Sequence, residues 1–191
     1  MRSIKTGVRL AAIASGQIGE NKHTVSGRTV LIAVIAKKSE VEGVLSSTVA
    51  INGTDSSNKI LEMIKKSRFG NQVRLVVLNG IALAGLNVVD ATKLSKNGFE
   101  VMVITRHKPR PSKLVHALSV FAKKSKVDVE ERKGIVRDFA KNKPLHANGF
   151  YVQSMLNENN AIALSGYAIG ALRLAHMIAS GISKGESKGR I

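Results

Sequence analysis

The first half of the chain alternates apolar runs with short polar breaks. Ile4 to Ala14 is apolar and β-compatible, and it closes at Ser15-Gly16. Arg28 to Ala36 (RTVLIAVIA) is dense in Val and Ile and reads as a strong strand. Glu42 to Asn52 (EGVLSSTVAIN) reads as a third strand, ended by Asn52-Gly53. The polar connection QIGENKHTVSG is long enough for a hairpin, so these strands are predicted to be consecutive and antiparallel.

The period then changes. Thr54 to Arg68 places Ile60, Leu61 and Ile64 at helical spacing behind a Thr54 or Asp55 N-cap. Val73 to Leu78 (VRLVVL) is nearly all apolar, as a strand buried on both faces requires, and it ends at Asn79-Gly80. A helix is predicted over Asn87–Ser95 and a fifth strand over Glu100–Thr105 (EVMVIT), followed by the basic loop RHKPRPSK. Helices follow over Lys113–Lys124 and Val127–Ala140, the second with Glu130, Glu131 and Arg132 exposed. Phe150–Met155 reads as a small extra strand and Leu172–Ile182 as a closing helix, before a basic tail over 183–191. No internal repeat is visible. This order predicts an α/β fold, a mixed sheet covered by helices, in a single domain over 1–191.

Charge changes the picture most. Thirty Lys and Arg face 13 Asp and Glu, a formal net charge of +17. Such an excess repels itself, and the partner that best explains it is a polyanion, DNA or RNA. The chain has no cysteine, which excludes disulfides, thiolate metal sites and a cysteine nucleophile, and fits a cytoplasmic setting. MRSIKTGVRLAAIASG could pass for a signal peptide, but Thr6 and Arg9 interrupt its apolar run, so it is read as a core strand. No unbroken run of about 18 apolar residues exists, so no membrane partner is expected.

The candidate nucleic-acid-binding residues follow from that charge. Arg106, Lys108, Arg110 and Lys113 cluster in a loop stiffened by Pro109 and Pro111. Lys123 and Lys124 follow one helix later, with Arg173, Lys184, Lys188 and Arg190 toward the end. Aromatic residues make up only 4% of the chain, so electrostatic, salt-sensitive binding is expected rather than a stacking platform. His23, His107, His116 and His146 lack zinc-ligand spacing. The glycine loop Gly80–Gly85 lies where open α/β sheets place ligands, at a strand's carboxyl end.

Two stretches carry a resemblance. VEGVLSSTVAINGTDSSNKILEMIKKSRFGNQVRLVVLNGIALAGLNVVD (Val41–Asp90) and LRLAHMIASGISKGESKGR (Leu172–Arg190) resemble the archaeal endonuclease dU-like family, which is related to endonuclease V. The resemblance implies a ribonuclease H-like fold and a Mg²⁺-dependent nuclease scaffold acting on deaminated bases. It also implies a loss. The family's first strand ends in paired aspartates before a glycine, and here Ala14 and Ser15 precede Gly16. Its Leu-Asp-Gly is here Leu78-Asn79-Gly80, and after the third strand only Asp55 remains. Mg²⁺ requires anionic oxygen, so the metal site is expected to be degenerate.

The expected pocket loops are Ser15, Gly16, Asn79, Gly80, Gly85 and Asn87. The candidates for a residual catalytic or metal role are Glu42, Asp55, Asp90 and His176, against plain roles as solvated strand residue, helix N-cap, helix-end carboxylate and structural histidine. The leading expectation is a nucleic-acid-binding member of the family. The alternatives are an active metal-dependent endonuclease cutting near deoxyuridine or deoxyinosine, and a structural subunit of a ribonucleoprotein or repair complex.

Overall fold

The computed structural model describes residues 7–18 and 27–187. Its main sheet has seven strands in the order β3-β2-β1-β4-β7-β9-β8. β1 (Arg9–Ser15), β2 (Arg28–Lys37) and β3 (Glu40–Ala50) form the expected antiparallel ribbon. β4 (Val73–Leu78) and β7 (Glu100–Thr105) lie parallel to β1, with Ile13 level with Leu78, and Leu78 level with Val103. β8 (Leu145–Ala147) and β9 (Phe150–Ser154) form a hairpin antiparallel to β7. This is the ribonuclease H-like arrangement: an antiparallel meander, then parallel strands, with helices over the sheet.

The two-residue period of β1 divides the core. Ala11 and Ile13 face α1 (Ser56–Lys65) and α2 (Ala91–Lys96), packing with Ile60, Ile64 and Leu94. Leu10, Ala12 and Ala14 face α5 (Glu158–Lys184). A third cluster joins α3 (Pro111–Ser125) to α4 (Glu130–Phe139) through Leu118, Phe121 and Val136.

α5 has 27 residues, where only its second half was expected to be helical. The stretch ENNAIALSGYAIG is rich in Asn, Ser and Gly, which are weak helix formers. The helix forms there because Ala161, Leu164, Ala168, Leu172, Ala175 and Ala179 bury one stripe on the sheet. The small side chains at four of these positions let the helix lie close to the strands. By length and hydropathy α5 could cross a bilayer, contrary to the sequence expectation, but the buried stripe makes it the core helix of this sheet.

The predicted helix over Asn87–Ser95 is also corrected. Asn87–Val88 form β6, paired with β5 (Ala82–Leu83), and only Ala91–Lys96 is helical. Buried Asn87 bonds to Ala50 at the end of β3 and to Asp55 beyond it, and that tie overrides the local preference.

Candidate nucleic-acid interface

Because β1, β3, β4 and β7 run the same way, their carboxyl ends share one edge of the sheet. That edge gathers residues 15–18, the 52–55 loop, the 79–86 segment and the basic 106–110 loop. Two clefts open there.

The larger encloses about 570 Å³. Its strand side is Ser15, Gly16 and Asn52, its hairpin side Ala84 to Leu86, and its helical wall Ala117, Val120 and Phe121 of α3. The hairpin turn is tightly held. The Ala84 N–H donates to Ser15 Oγ at 2.9 Å, and the Leu86 N–H to Asn52 Oδ1 at 2.9 Å. The Asn52 N–H donates to the Ala84 carbonyl at 2.9 Å, which fixes Ala84 at a φ of 43°. Gly85 has a φ of 86°, and a Cβ there would stand 2.3 Å from Asn52 Oδ1, so only glycine fits.

A cation lies one layer behind this cleft. Arg132 of α4 is only 5% exposed, although the charged run around it predicts a solvated position. Its Nη1 donates to the carbonyls of Asn52 at 2.8 Å and Leu86 at 3.2 Å, and its guanidinium stacks on Phe121, with the carbon 5.5 Å from the ring centre. All three partners line the cleft. Nε has no partner, and no carboxylate lies within ion-pair distance among the described residues. Burial lowers the guanidinium's pKa, with Asp128 opposing.

On α3, Lys113, Ala117, Val120 and Lys124 fall on one stripe, since steps of four, three and four residues return near the same angle. Lys113 and Lys124 are exposed, so a lysine flanks the apolar wall at either end. Arg106, Lys108 and Arg110 are exposed at the end of β7. Lys123 is exposed on α3, Arg173 on the middle of α5 and Lys184 at its end. The end of α5 lies at this edge, where the Gln17 N–H donates to Ser183 Oγ at 2.9 Å. Lys188 and Arg190 lie outside the described residues.

The structure separates the proposed pocket residues. Ser15, Gly16 and Gly85 line the larger cleft. Gly80 lines the second, and Asn79 lines neither. Asn87 is buried behind the cleft, accepting from the Ser56 N–H at 3.1 Å and donating to Asp55 Oδ1 at 2.8 Å.

The carboxylate candidates are engaged elsewhere. Glu42 sits at the opposite edge, because β3 begins beside the start of β1. It pairs with Arg9 (Nη2 to Oε1, 2.7 Å), and that bond holds its pKa low. Asp55 occupies the α1 N-cap position but makes no capping bond; it accepts from the Ala50 N–H at 3.1 Å, from Asn87 and from Arg28. Burial pushes its pKa up, and these donors more than offset that, leaving it below the ordinary carboxylate range. Asp90 caps α2 by accepting from the Lys93 N–H at 2.9 Å. His176 is half-buried with Nε2 3.4 Å from Ser180 Oγ, and burial lowers its pKa.

The donor set therefore does not fit Mg²⁺. No group of three or more Asp, Glu, His or Cys able to hold a metal exists among the described residues. The carboxyl ends of β1 and β4 offer only a hydroxyl and an amide.

Comparisons agree with the fold and the resemblance. The family model described as endonuclease dU matches residues 6–183. A UPF0215 protein of Thermococcus kodakarensis is 34% identical over 197 residues, covering 98% of each chain. Another, from Thermococcus gammatolerans, is 32% identical over 196 residues with the same coverage. Among solved structures, a protein of unknown function from Archaeoglobus fulgidus superposes with a TM-score of 0.76 at 23% identity, over 93% of this chain and 99% of that one. The catalytic domain of human endonuclease V superposes with a TM-score of 0.50 at 12% identity, over 88% of this chain and 79% of that one, a likeness of fold alone. The chain belongs to the endonuclease dU family.

Proposed function

We propose that this protein binds nucleic acid at the carboxyl edge of its sheet and does not cut it by metal-assisted hydrolysis. One observation carries the reading. The strand ends where the family resemblance places aspartates present Ser15 and Asn79, while lysines flank an apolar cleft on the same edge. Two-metal or one-metal phosphodiester hydrolysis needs carboxylates to hold the ion that activates water and stabilises the leaving oxygen. Phosphate binding needs only cations. The cleft is uncharged and lined by Ala117, Val120, Phe121 and Leu86, a surface suited to an unstacked base, with Lys113 and Lys124 placed for the flanking phosphates.

The test is a cleavage and binding assay on labelled duplex and single-stranded DNA carrying one deoxyuridine or one deoxyinosine, with Mg²⁺ and with Mn²⁺. The expected result is no cutting with either metal, and a complex whose affinity falls steeply as salt rises. Metal-dependent cutting abolished by Asp55→Ala, Asp90→Ala or Glu42→Ala would overturn the reading and make this an active endonuclease. Absent or salt-independent binding would overturn it equally.

A further inference from the structure

The second cleft encloses about 160 Å³ on the far side of the 80–86 segment. Gly80 and Ile81 form the partition, Val103 and Thr105 its strand side, and Leu114 and Phe139 its helical walls. Gln153 reaches it from β9 and Arg110 closes its mouth.

Gln153 is the unusual member. It is only 5% exposed, and its Nε2 donates to the Asn142 carbonyl at 2.7 Å. That bond fixes the amide's orientation, since only the nitrogen can donate. The amide oxygen accepts from no described residue and is not among the atoms sealed from solvent. Gln153 lines the cleft, so an oriented acceptor that solvent reaches and no described residue satisfies is left for a ligand N–H. Thr105 Oγ1 donates to the His107 carbonyl at 2.9 Å, so it too can only accept from a ligand. At the mouth, Arg110 is joined by exposed Arg106, Lys108 and Lys113, and α3 starts there without a side-chain cap.

We propose that this cleft is a nucleotide subsite. It takes one pyrimidine-sized base that offers an N–H donor to Gln153 Oε1, with the attached phosphate on Arg110 and its neighbours. The inference rests on the nucleic-acid reading and adds a second base position to it: the 80–86 segment stands between two inserted bases of one strand. Three features argue for a nucleotide rather than an acidic peptide. The polar side chains of the strand side, Gln153 and Thr105, are left only as acceptors, which disfavours a carboxylate there. The walls are apolar and suit a planar ring. The cations stand outside the cavity, where a phosphate would be.

The probe is cytidine 5′-monophosphate, titrated into the ¹⁵N-labelled full chain and followed by NMR, with inorganic phosphate as control. The nucleotide is expected to give saturable shifts at Gly80, Thr105, Leu114 and the Gln153 side-chain amide, while phosphate moves only residues 106–113. Gln153→Leu removes the acceptor at similar volume and should weaken nucleotide binding about five- to tenfold. Leu114→Trp should abolish it by filling the cavity. Circular dichroism checks that each variant is folded, and Leu114→Trp decides the matter where Gln153→Leu, which also loses the donor to Asn142, does not fold.

Nucleotide shifts confined to the basic loop, or centred on Ala84, Gly85 and Val120 of the larger cleft, would overturn the proposal. So would unchanged nucleotide affinity in folded Leu114→Trp. Oligonucleotide binding by anisotropy separates the two readings. If it persists in wild type while the mononucleotide leaves the second cleft untouched, only the subsite fails. If it is absent at low salt, the nucleic-acid reading fails with it.

Discussion

Replacing Arg132 with Met tests whether this unpaired cation holds the larger cleft together. Methionine keeps most of the apolar stem and removes the guanidinium. Three losses dominate, beside the longer bonds to the Gly53 and Asp128 carbonyls. The Asn52 carbonyl, in a residue only 3% exposed, loses its 2.8 Å donor, and the Leu86 carbonyl loses one at 3.2 Å. Removing a charged donor from such carbonyls costs about 1–3 kcal/mol each, toward the lower end for half-buried Leu86, which water can reach. The contact with the Phe121 ring contributes about 1 kcal/mol more. On the other side, burying a guanidinium with no carboxylate partner costs several kcal/mol, and Met recovers part of that. The balance is a destabilisation of about 2–4 kcal/mol, which for a chain of this size lowers Tm by roughly 5–15 °C. Arg132→Lys keeps the charge and an amine donor but loses the planar contact with Phe121 and the Nη2 donor to the Asp128 carbonyl, and should fall between. Urea denaturation gives the free energy, and amide exchange at Gly53 and Leu86 reports whether the loops loosen. An Arg132→Met protein as stable as wild type, or more so, would show that the buried charge costs more than its bonds return, and the account of this residue would be wrong.

Other consequences are independent of that one. Asp55 has a lowered folded pKa, so its contribution is present above the ordinary carboxylate value of about 4 and is lost as pH falls through the folded value. Asp55→Asn should therefore cost about 1–2 kcal/mol at pH 7, and urea midpoints of wild type and variant should converge in acid; a gap that stays constant with pH refutes the assignment. Gly85→Ala places a methyl against Asn52 Oδ1 in a left-handed backbone and should cost about 2 kcal/mol or more. Gly80→Ala, with open space around it and the same sign of φ, should cost only about 1 kcal/mol, so equal losses in thermal unfolding would contradict the packing described. Lys113→Ala and Lys124→Ala should each reduce the slope of log affinity against log salt by about 1, whereas an unchanged slope would remove those lysines from the phosphate path.

The sheet was legible because its signals are local. The apolar runs Val73–Leu78 and Glu100–Thr105 coincide with β4 and β7, and Asn79-Gly80 marks the end of the first. α5 was half legible, because its first fourteen residues are helical through burial against the sheet rather than through local propensity. The site was less so. Ser15, Gly16 and Gly85 could be placed at strand ends by the resemblance. Arg132 and Gln153 carried no signal: one sits in a run of charges that reads as solvated, the other in the five-residue strand β9. Each becomes notable only by burial and by its partner, Asn52 for one and Asn142 for the other, and neither is adjacent in sequence. Glu42 shows the converse, a carboxylate near a matching motif that the strand direction carries to the wrong edge.

The missing carboxylates and the excess of cations make one electrostatic arrangement, and it can be tested by partial reversal. A divalent ion about 8 Å from a unit cation is repelled by about 4 kcal/mol at an effective dielectric of 20, and two carboxylates at about 4 Å attract it by about 17 kcal/mol before the ion's dehydration is counted. Without those carboxylates only the repulsion remains, so the wild-type edge should reject Mg²⁺ and accept phosphate. Ser15 is the last residue of β1, two past Ile13, and Asn79 follows the last residue of β4, one past Leu78, so both stand at the carboxyl edge of adjacent parallel strands. Ser15→Asp combined with Asn79→Asp should therefore create a saturable Mg²⁺ site by calorimetry, absent from wild type, and should weaken oligonucleotide binding in the absence of metal. Aspartate at 15 can still accept the Ala84 N–H, so the turn has no reason to open. Saturable Mg²⁺ binding by wild type would show that the edge holds metal without these acids. A folded double variant that binds none would show that positions 15 and 79 do not converge on one point, and the reading of this edge as a former metal site would have to be given up.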